Sequence, residues 1–235
     1  IEDDNFDIIL VNGKLIKKSE KIESNEIKQG LSSNKIKTEF FNKTKNPFIN
    51  LNNAFLDKGC YLIFKENSEN KINILNIVNN SAFEQIIHPR VIIIAEKNSQ
   101  SLVYEEVRFL GKKMNLVNSV MNISLENGAN VEHILIDNYS DNTYQISNTI
   151  VKQNKDSNFA SYNYSNAKKL VRKDYIIELK ERGAHCDLRG IYLADKKNHI
   201  DHHTLIEHEK EHCTSNELYK GILADKSIGV FNGRI

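Results

Sequence analysis

The sequence predicts an all-β protein built as a parallel β-helix, preceded by a small mixed α/β region. From residue 71 onward, short segments rich in Ile, Val and Tyr follow one another between Asn, Gly, Asp and Ser. This composition is typical of strands separated by turns. Two stretches also resemble each other, "ENGANVEHILI" at 126–136 and "ERGAHCDLRGIYL" at 181–193. Repeated turn-and-strand units predict coils stacked in a solenoid, with a period of roughly 20 to 30 residues.

The mixed region is assigned to residues 1–70. Asn12-Gly13 separates two short apolar runs and predicts a tight hairpin. Residues 17–46 are polar and lack clear periodicity, which predicts a loop or a poorly packed helix. Pro47 opens a segment with apolar residues at helical spacing, so a short helix is expected there. The following "CYLIF", at 60–64, predicts a strand.

The β-helix is assigned to residues 71–235. Its strand-like segments are, in order, "INILNIV", "RVIIIAE", "SLVYEEV", "LVNSVMNISL", "VEHILID", "YQISNTIVKQ", "NFASYNYS", "DYIIELK", "HCDLRGIYLAD", "HIDHHTLIEH" and "ELYKGILAD". Only "SNAKKLV" could pass for a helix. No Asn-Gly pair joins two of these strands in a tight hairpin, which argues against an antiparallel sandwich and for parallel coils.

Composition limits the classes of partner and compartment. The chain has 235 residues and a net charge of +1, which gives no electrostatic reason to expect nucleic acid or an anionic membrane as partner. Its apolar runs fall short of the roughly 20 residues of a spanning helix. Cys60, Cys186 and Cys213 contain no C-x-x-C pair, so we expect unpaired thiols in a reducing, cytoplasmic compartment.

Lysine and asparagine are both abundant in this chain. Codon bias in an A+T-rich genome would raise both residues together. The Lys/Asn clusters are therefore not predicted to be basic patches.

Residues 208–212, "HEKEH", match the H-E-x-x-H pattern of zinc hydrolases. A zinc-binding helix of that class carries an apolar stripe, which this charged stretch lacks. The extended motif also fails, because Leu218 occupies the position of its third histidine. Residues 204–208 alternate as a strand would. We therefore predict a charged loop and no zinc-bound helix.

Four other candidates for metal binding are His199, His203, His208 and Cys213. They could approach one another across neighbouring coils and bind a soft or borderline metal. Alternatively, histidines on strands hydrogen-bond to adjacent turns and bind nothing. The sequence contains no glycine-rich phosphate loop, and residue order selects no catalytic triad. We predict no catalytic and no cofactor-binding residues.

Two segments near the end of the sequence carry a resemblance to a known family. They are "HIDHHTLIEH" at 199–208 and "SNELYKGILADKSIGVFNGRI" at 215–235. Together they resemble the core of the SufB/SufD family of iron–sulfur cluster assembly proteins, and "GVFNGRI" favours its SufD branch. Weaker similarity extends upstream through "LNNAFLDKGCYLIF" and "IHPRVIIIAEKNSQSLVYEE". In this resemblance His208 belongs to the family pattern, and its match to a zinc motif is incidental.

The resemblance implies a right-handed parallel β-helix that acts as a non-enzymatic scaffold subunit of the SufBCD complex. The implied partners are SufB, through the β-helix, and the ATPase SufC, through a C-terminal helical segment that we expect to lie beyond this sequence. An iron–sulfur cluster would be held transiently in the assembled complex, with no cofactor bound by this chain alone. The alternatives are a carbohydrate-active or carbohydrate-binding β-helix protein and a zinc hydrolase that uses "HEKEH".

Overall fold

The computed structural model describes residues 5–26, 40–41, 44–56, 59–79, 84–110, 113–138, 142–167 and 169–235. Strands dominate these ranges, and the all-β prediction is confirmed. The strands are β1 (Ile8–Val11), β2 (Lys14–Lys17), β3 (Glu23–Glu26), β4 (Gly59–Phe64), β5 (Glu69–Asn79), β6 (Gln85–Ile87), β7 (Arg90–Ala95), β8 (Gln100–Leu110), β9 (Asn115–Leu125), β10 (Asn130–Asn138), β11 (Thr143–Gln153), β12 (Asn158–Ala167), β13 (Leu170–Leu179), β14 (His185–Ala194), β15 (His199–His208), β16 (Thr214–Leu223) and β17 (Ile228–Arg234). One helix, α1, spans Pro47–Phe55 in the described part of the chain.

The strands form two sheets that face each other across a narrow interior, the lumen. The front sheet has the order β16-β14-β12-β10-β8-β5-β1-β2, and the back sheet has the order β17-β15-β13-β11-β9-β7-β4-β3. Neighbours are parallel except for β1 with β2 and β3 with β4. Asn130 pairs with Gln100 on one side and Asn158 on the other, so one coil takes close to 30 residues. The predicted parallel solenoid is confirmed.

The lumen is filled by side chains that alternate along each strand and stack between coils. One column on the back sheet contains Ile93, Ile123, Val151, Ile177 and Ile206, which pair in register on successive strands and are fully buried. Branched side chains suit this arrangement because they pack against the same-face neighbour on the next strand. Each such residue contributes about 1.5–3 kcal/mol through burial.

The coils are joined by turns along two opposite edges of the solenoid. At the first edge, where the chain passes from the back sheet to the front sheet, the two turns that look alike in sequence contain Gly128 and Gly183. Both glycines have a positive φ, of 69° and 75°. A Cβ at Gly128 would lie 2.4 Å from Asn98 Oδ1, and one at Gly183 would lie 2.1 Å from Asp156 Oδ1. The repeated glycines therefore allow adjacent turns to stack closely.

The region before residue 71 continues the same sheets. β1 pairs in parallel with β5, and β4 pairs in parallel with β7, while the division of the chain at residue 70 stays a prediction. The predicted hairpin at Asn12-Gly13 and the predicted strand at 60–64 are both present. Helix α1 also forms as predicted, with the Asn46 side chain accepting hydrogen bonds from the first turn at Phe48 N and Ile49 N.

Two local predictions are wrong in part. Residues 23–26 form an edge strand against β4, in a stretch predicted as loop or helix, and residues 27–39 of that stretch lie outside the described residues. "SNAKKLV" forms no helix in its described residues, because β12 ends at Ala167 and β13 begins at Leu170. Its local pattern is overridden by the hydrogen bonds that neighbouring coils offer on both sides.

Within the described residues, no helix is long and apolar enough to cross a membrane.

Candidate functional site

Three of the four predicted metal-binding residues have separate partners for their side chains. His199 and His203 lie on the outer face of β15, and His203 Nε2 is 2.7 Å from Asp201 Oδ1. His208 Nε2 is 3.0 Å from Ser215 Oγ, and the Cys213 thiol donates to the Glu181 carbonyl at 3.2 Å. Among the described residues, no group of three or more His, Cys, Asp and Glu side chains is placed to hold a metal ion. The metal hypothesis for these four residues stays a prediction.

The "HEKEH" stretch is a strand end followed by a turn. Strand β15 ends at His208, and residues 209–213 carry the chain around the first edge. His212 has a φ of 60°, in the left-handed region, so the backbone there does not continue as a right-handed helix. The prediction of a charged loop is confirmed.

A cluster of charged and polar side chains inside the lumen was missed by the sequence reasoning. We call it the lumenal network, and it consists of Glu105, His133, Asp137, Lys173 and Tyr175. All five residues are buried, and His133, Asp137 and Lys173, taken as whole residues, are each 1 % exposed. The sequence did contain a signal for it: His133 and Asp137 are four residues apart on one strand, so their side chains point to the same face of the sheet.

Glu105 and His133 form one buried pair between neighbouring coils. His133 Nε2 lies 2.8 Å from Glu105 Oε2, and the Asn76 side-chain amide donates to the other carboxylate oxygen. Taking such groups out of water costs several kcal/mol, which mutual attraction and extra hydrogen bonds must offset. The two bonds to Glu105 supply that compensation.

Lys173 and Asp137 form a second buried pair, which reaches across the lumen from the back sheet to the front sheet. The Lys173 ammonium donates directly to Asp137 Oδ2. The hydroxyl of Tyr175 accepts a hydrogen bond from Ser161 Oγ at 3.4 Å. Burial raises the pKa of the Tyr175 phenol, and the nearby carboxylates of Asp137 and Glu105 raise it further. The phenol therefore stays protonated at neutral pH.

A cavity of about 70 Å³ opens beside these groups. Its lining includes Glu105, His133, Asp137, Tyr175 and Gln145. His133 Nδ1 and Gln145 Oε1 are buried and have no hydrogen-bond partner in the protein. A cavity needs roughly 10–15 Å³ to hold one water molecule. This one is large enough for several waters or one small polar solute, which would satisfy the two unpaired atoms.

Two of the three cysteines are unsuited to thiolate chemistry. Burial raises the pKa of the Cys60 thiol to about 12, with Glu105 as a smaller cause. Burial likewise raises the pKa of the Cys186 thiol, assisted by Glu217 and Asp187. The thiolate is the reactive form, so both residues act as small apolar side chains in the core. Cys213 is partly exposed.

An aromatic stack follows the lumenal network toward the last coils. His202 is buried between Tyr192 and Tyr219, with a ring-centroid distance of 5.3 Å to each. It pairs in register with Lys173. Burial, with the positive charge of Lys173 as a smaller cause, lowers the pKa of His202 to about 3. His202 is therefore neutral at physiological pH.

The described side chains are better suited to binding a small polar species than to nucleophilic chemistry. The lumenal network can hold a small polar species through hydrogen bonds and electrostatic attraction. In contrast, neither Cys60 nor Cys186 provides a nucleophile, and His202 is held away from any described hydrogen-bond partner.

Comparison with known proteins gives a family match over most of the solenoid. The model of the family described as "SUF system FeS cluster assembly, SufBD core domain" matches residues 76–235. This range runs from the second half of β5 to the end of β17.

Individual relatives agree with that match. The chain is 27 % identical over 171 residues to the "Iron-sulfur cluster assembly protein SufD" of Plasmodium falciparum, covering 72 % of this chain and 12 % of that protein. The protein of the same description in Plasmodium berghei is 24 % identical over 160 residues, covering 68 % and 12 %. A Synechocystis "Iron-sulfur cluster assembly SufBD family protein" is 23 % identical over 198 residues, covering 80 % and 44 %. The chain thus spans less than half the length of each of these relatives.

Proposed function

The chain belongs to the SufBD core family of the SUF system, and from this premise we propose that it is a non-enzymatic scaffold subunit in iron–sulfur cluster assembly. The observation that carries the proposal is the family match across residues 76–235. That range includes most of the solenoid, from the second half of β5 to the end of β17, so the likeness extends through the body of the fold.

The proposed partners are the related subunit SufB and the ATPase SufC. A solenoid has open sheet edges at its ends, and another β-helix could pair with them. In this proposal the cluster forms in the assembled complex and is held there transiently. Support comes from the buried, protonated thiols Cys60 and Cys186, which favour a role in shaping a shared site over one as sulfur carrier.

The test uses the full-length protein, expressed anaerobically with the SufB and SufC of the same organism. We expect the three chains to co-purify, and the complex to develop the absorption of an iron–sulfur cluster when given iron, a sulfur donor and a reductant. The matched control is SufB with SufC alone, which should yield less cluster.

Two results would contradict the proposal. The first is full cluster formation without this chain. The second is a stoichiometric cluster assembled by this chain unaided, which would make His199, His203, His208 and Cys213 candidate ligands.

A further inference from the structure

The two edges of the solenoid differ in how their charges are paired. At the first edge, some lysines form ion pairs with nearby carboxylates: Lys65 Nζ is 2.8 Å from Glu23 Oε2, and Lys180 Nζ is 3.0 Å from Glu178 Oε2. Lys97 and Lys210 of the same edge form none with the described residues. At the second edge, where the chain returns from the front sheet to the back sheet, the final turns carry four lysines. We call this set the lysine edge: Lys169, Lys196, Lys197 and Lys226. Within the described part of the chain, none of these four forms an ion pair.

The lysine edge is an ordered stack. Lys226 N donates to the Lys196 carbonyl at 2.8 Å, and His199 N donates to the Lys169 carbonyl at 2.8 Å. The turns are therefore in adjacent coils, about 4.8 Å apart. They border a groove of about 760 Å³, which is also lined by Asn142, Asn198 and Asp225.

The carboxylates of this edge are engaged with the turns themselves. Asp225 Oδ2 accepts a hydrogen bond from Lys196 N at 3.0 Å, and Asp195 Oδ1 accepts one from the Asn198 side chain at 2.8 Å. Four ammonium groups against two carboxylates leave a net charge of +2. The ammonium groups are thus free to bind an external anion.

Two of the lysines occupy positions that other residues would fill with less strain. Lys169 and Lys196 both have a φ of 55°, in the left-handed region. At the first edge, the residues with positive φ are Asn67, Asn98, Gly128, Asp156, Gly183 and His212. Gly, Asn and Asp tolerate this conformation better than Lys does. Strain of this kind is found at functional sites, where a side chain is kept for what it does.

An apolar groove of about 460 Å³ adjoins the lysine edge on the outer face of the back sheet. Ile86, Leu116, Tyr144 and Leu170 pair in register there, one per strand. Ile86 is 63 % exposed, so this stripe is not covered by the described part of the chain. Leu170 directly follows Lys169, so the apolar and basic grooves meet.

We propose that the lysine edge and this apolar groove together form a docking site for an acidic amphipathic helix of a partner protein. On a helix, side chains at i and i+3 or i+4 lie about 5–6 Å apart, which is close to the coil spacing of about 4.8 Å. Same-face residues of an extended strand are farther apart, at about 6.6–6.8 Å. The same column continues from Leu170 through His199 to Ile228 on β17. From β6 to β17 there are five coil steps, a span of about 24 Å or 16 residues of helix.

The same features disfavour other occupants. Nucleic acid would leave the apolar groove uncovered, and a planar membrane would not enter a concave groove. Apolar residues of a helix fill the groove at Tyr144 and Leu170, while its Asp and Glu residues face the ammonium groups of Lys196 and Lys226.

The test measures binding and stability in the same variants of the full-length protein. The probe is a 16-residue helical peptide with Leu at i, i+3 and i+4 and Glu on the flanking face, followed by fluorescence anisotropy. Lys169→Asn and Lys196→Asn should each weaken binding about two- to fivefold. Both should also raise the melting temperature, because Asn relieves the left-handed strain. The matched control is Lys97→Asn, an exposed lysine at the first edge, which should leave peptide binding unchanged.

Several outcomes would overturn the docking proposal. Equal binding by wild type and the Lys169→Asn/Lys196→Asn double variant would do so. Tighter binding of phosphatidylglycerol vesicles or duplex DNA than of the peptide, lost in the same double variant, would replace the helix with a membrane or nucleic acid. A photo-crosslinker at Tyr144 in the SufB- and SufC-containing complex should label an acidic amphipathic segment. If the double variant loses peptide binding but its complex still forms the cluster normally, the docking site and the scaffold function proposed above are shown to be independent, so that one proposal can fail without the other.

Discussion

The buried Lys173–Asp137 pair allows a quantitative test of the lumenal network. Lys173→Met and Asp137→Leu each remove one partner and leave the other without its counter-charge. Both side chains are 2 % exposed, so bulk water cannot solvate the remaining charge. We expect each single change to reduce the free energy of unfolding by about 3–5 kcal/mol.

The double variant should behave differently from the sum of its parts. With both charges gone, the lumen contains Met and Leu in place of an ion pair, and the loss should fall to within about 1–2 kcal/mol of the wild type. The expected coupling energy is therefore several kcal/mol. Urea unfolding, followed by circular dichroism, supplies all four free energies of the double-mutant cycle.

An ion pair at the surface supplies the control. Lys180 contacts Glu178 and Glu209, and its side chain is 38 % exposed. Lys180→Met should cost less than about 1 kcal/mol. If the two lumenal single variants cost no more than this and their effects simply add, the lumen admits water freely and the reasoning about buried charge is wrong.

Three further predictions concern pH, backbone and thiols. The pKa of His202 is about 3 in the folded protein and near 6.5 in the unfolded protein. The contribution of neutral His202 to the free energy of unfolding is therefore fully present above pH 6.5, and below that pH it should fall by up to about 1.4 kcal/mol per pH unit. His202→Phe should abolish this part of the pH dependence. Gly128→Ala places a Cβ against Asn98 at a φ of 69° and should lower the free energy of unfolding, measured in urea, by about 1–2 kcal/mol. At pH 8, iodoacetamide should label Cys213 in the folded protein, while mass spectrometry finds Cys60 and Cys186 unmodified until urea is added.

Local rules predicted the elements whose causes are local. Asn12-Gly13 forms its hairpin because the left-handed turn needs those residues, and α1 begins at Pro47 because Asn46 caps it. Residues 23–26 escaped prediction because an edge strand can be held by backbone bonds alone. "SNAKKLV" was ambiguous for the same reason, since the adjacent coils decide its conformation.

The lumenal network was hidden by an inversion of the usual pattern. In β10, the outward side chains include Ile134 and Ile136, whereas the inward side chains include His133 and Asp137. Both phases contain apolar residues, so alternation alone did not reveal which face is inside. The lysine edge was hidden by composition, because lysines are common throughout this chain. The stacking of the coils shows which of them share one edge without forming ion pairs with the described residues.

The stacking of coils also bears on how chains of this kind can change in length. Each strand bonds only to the coil before it and the coil after it, so a duplication of one whole coil would keep every side chain on its own face. A single-residue insertion would exchange lumen and surface along the rest of that strand. The Lys173–Asp137 pair adds a limit, because it joins strands that are not neighbours in either sheet. Gain or loss of a coil between β10 and β13 would separate the two charges, so we expect length variation among relatives to avoid that interval.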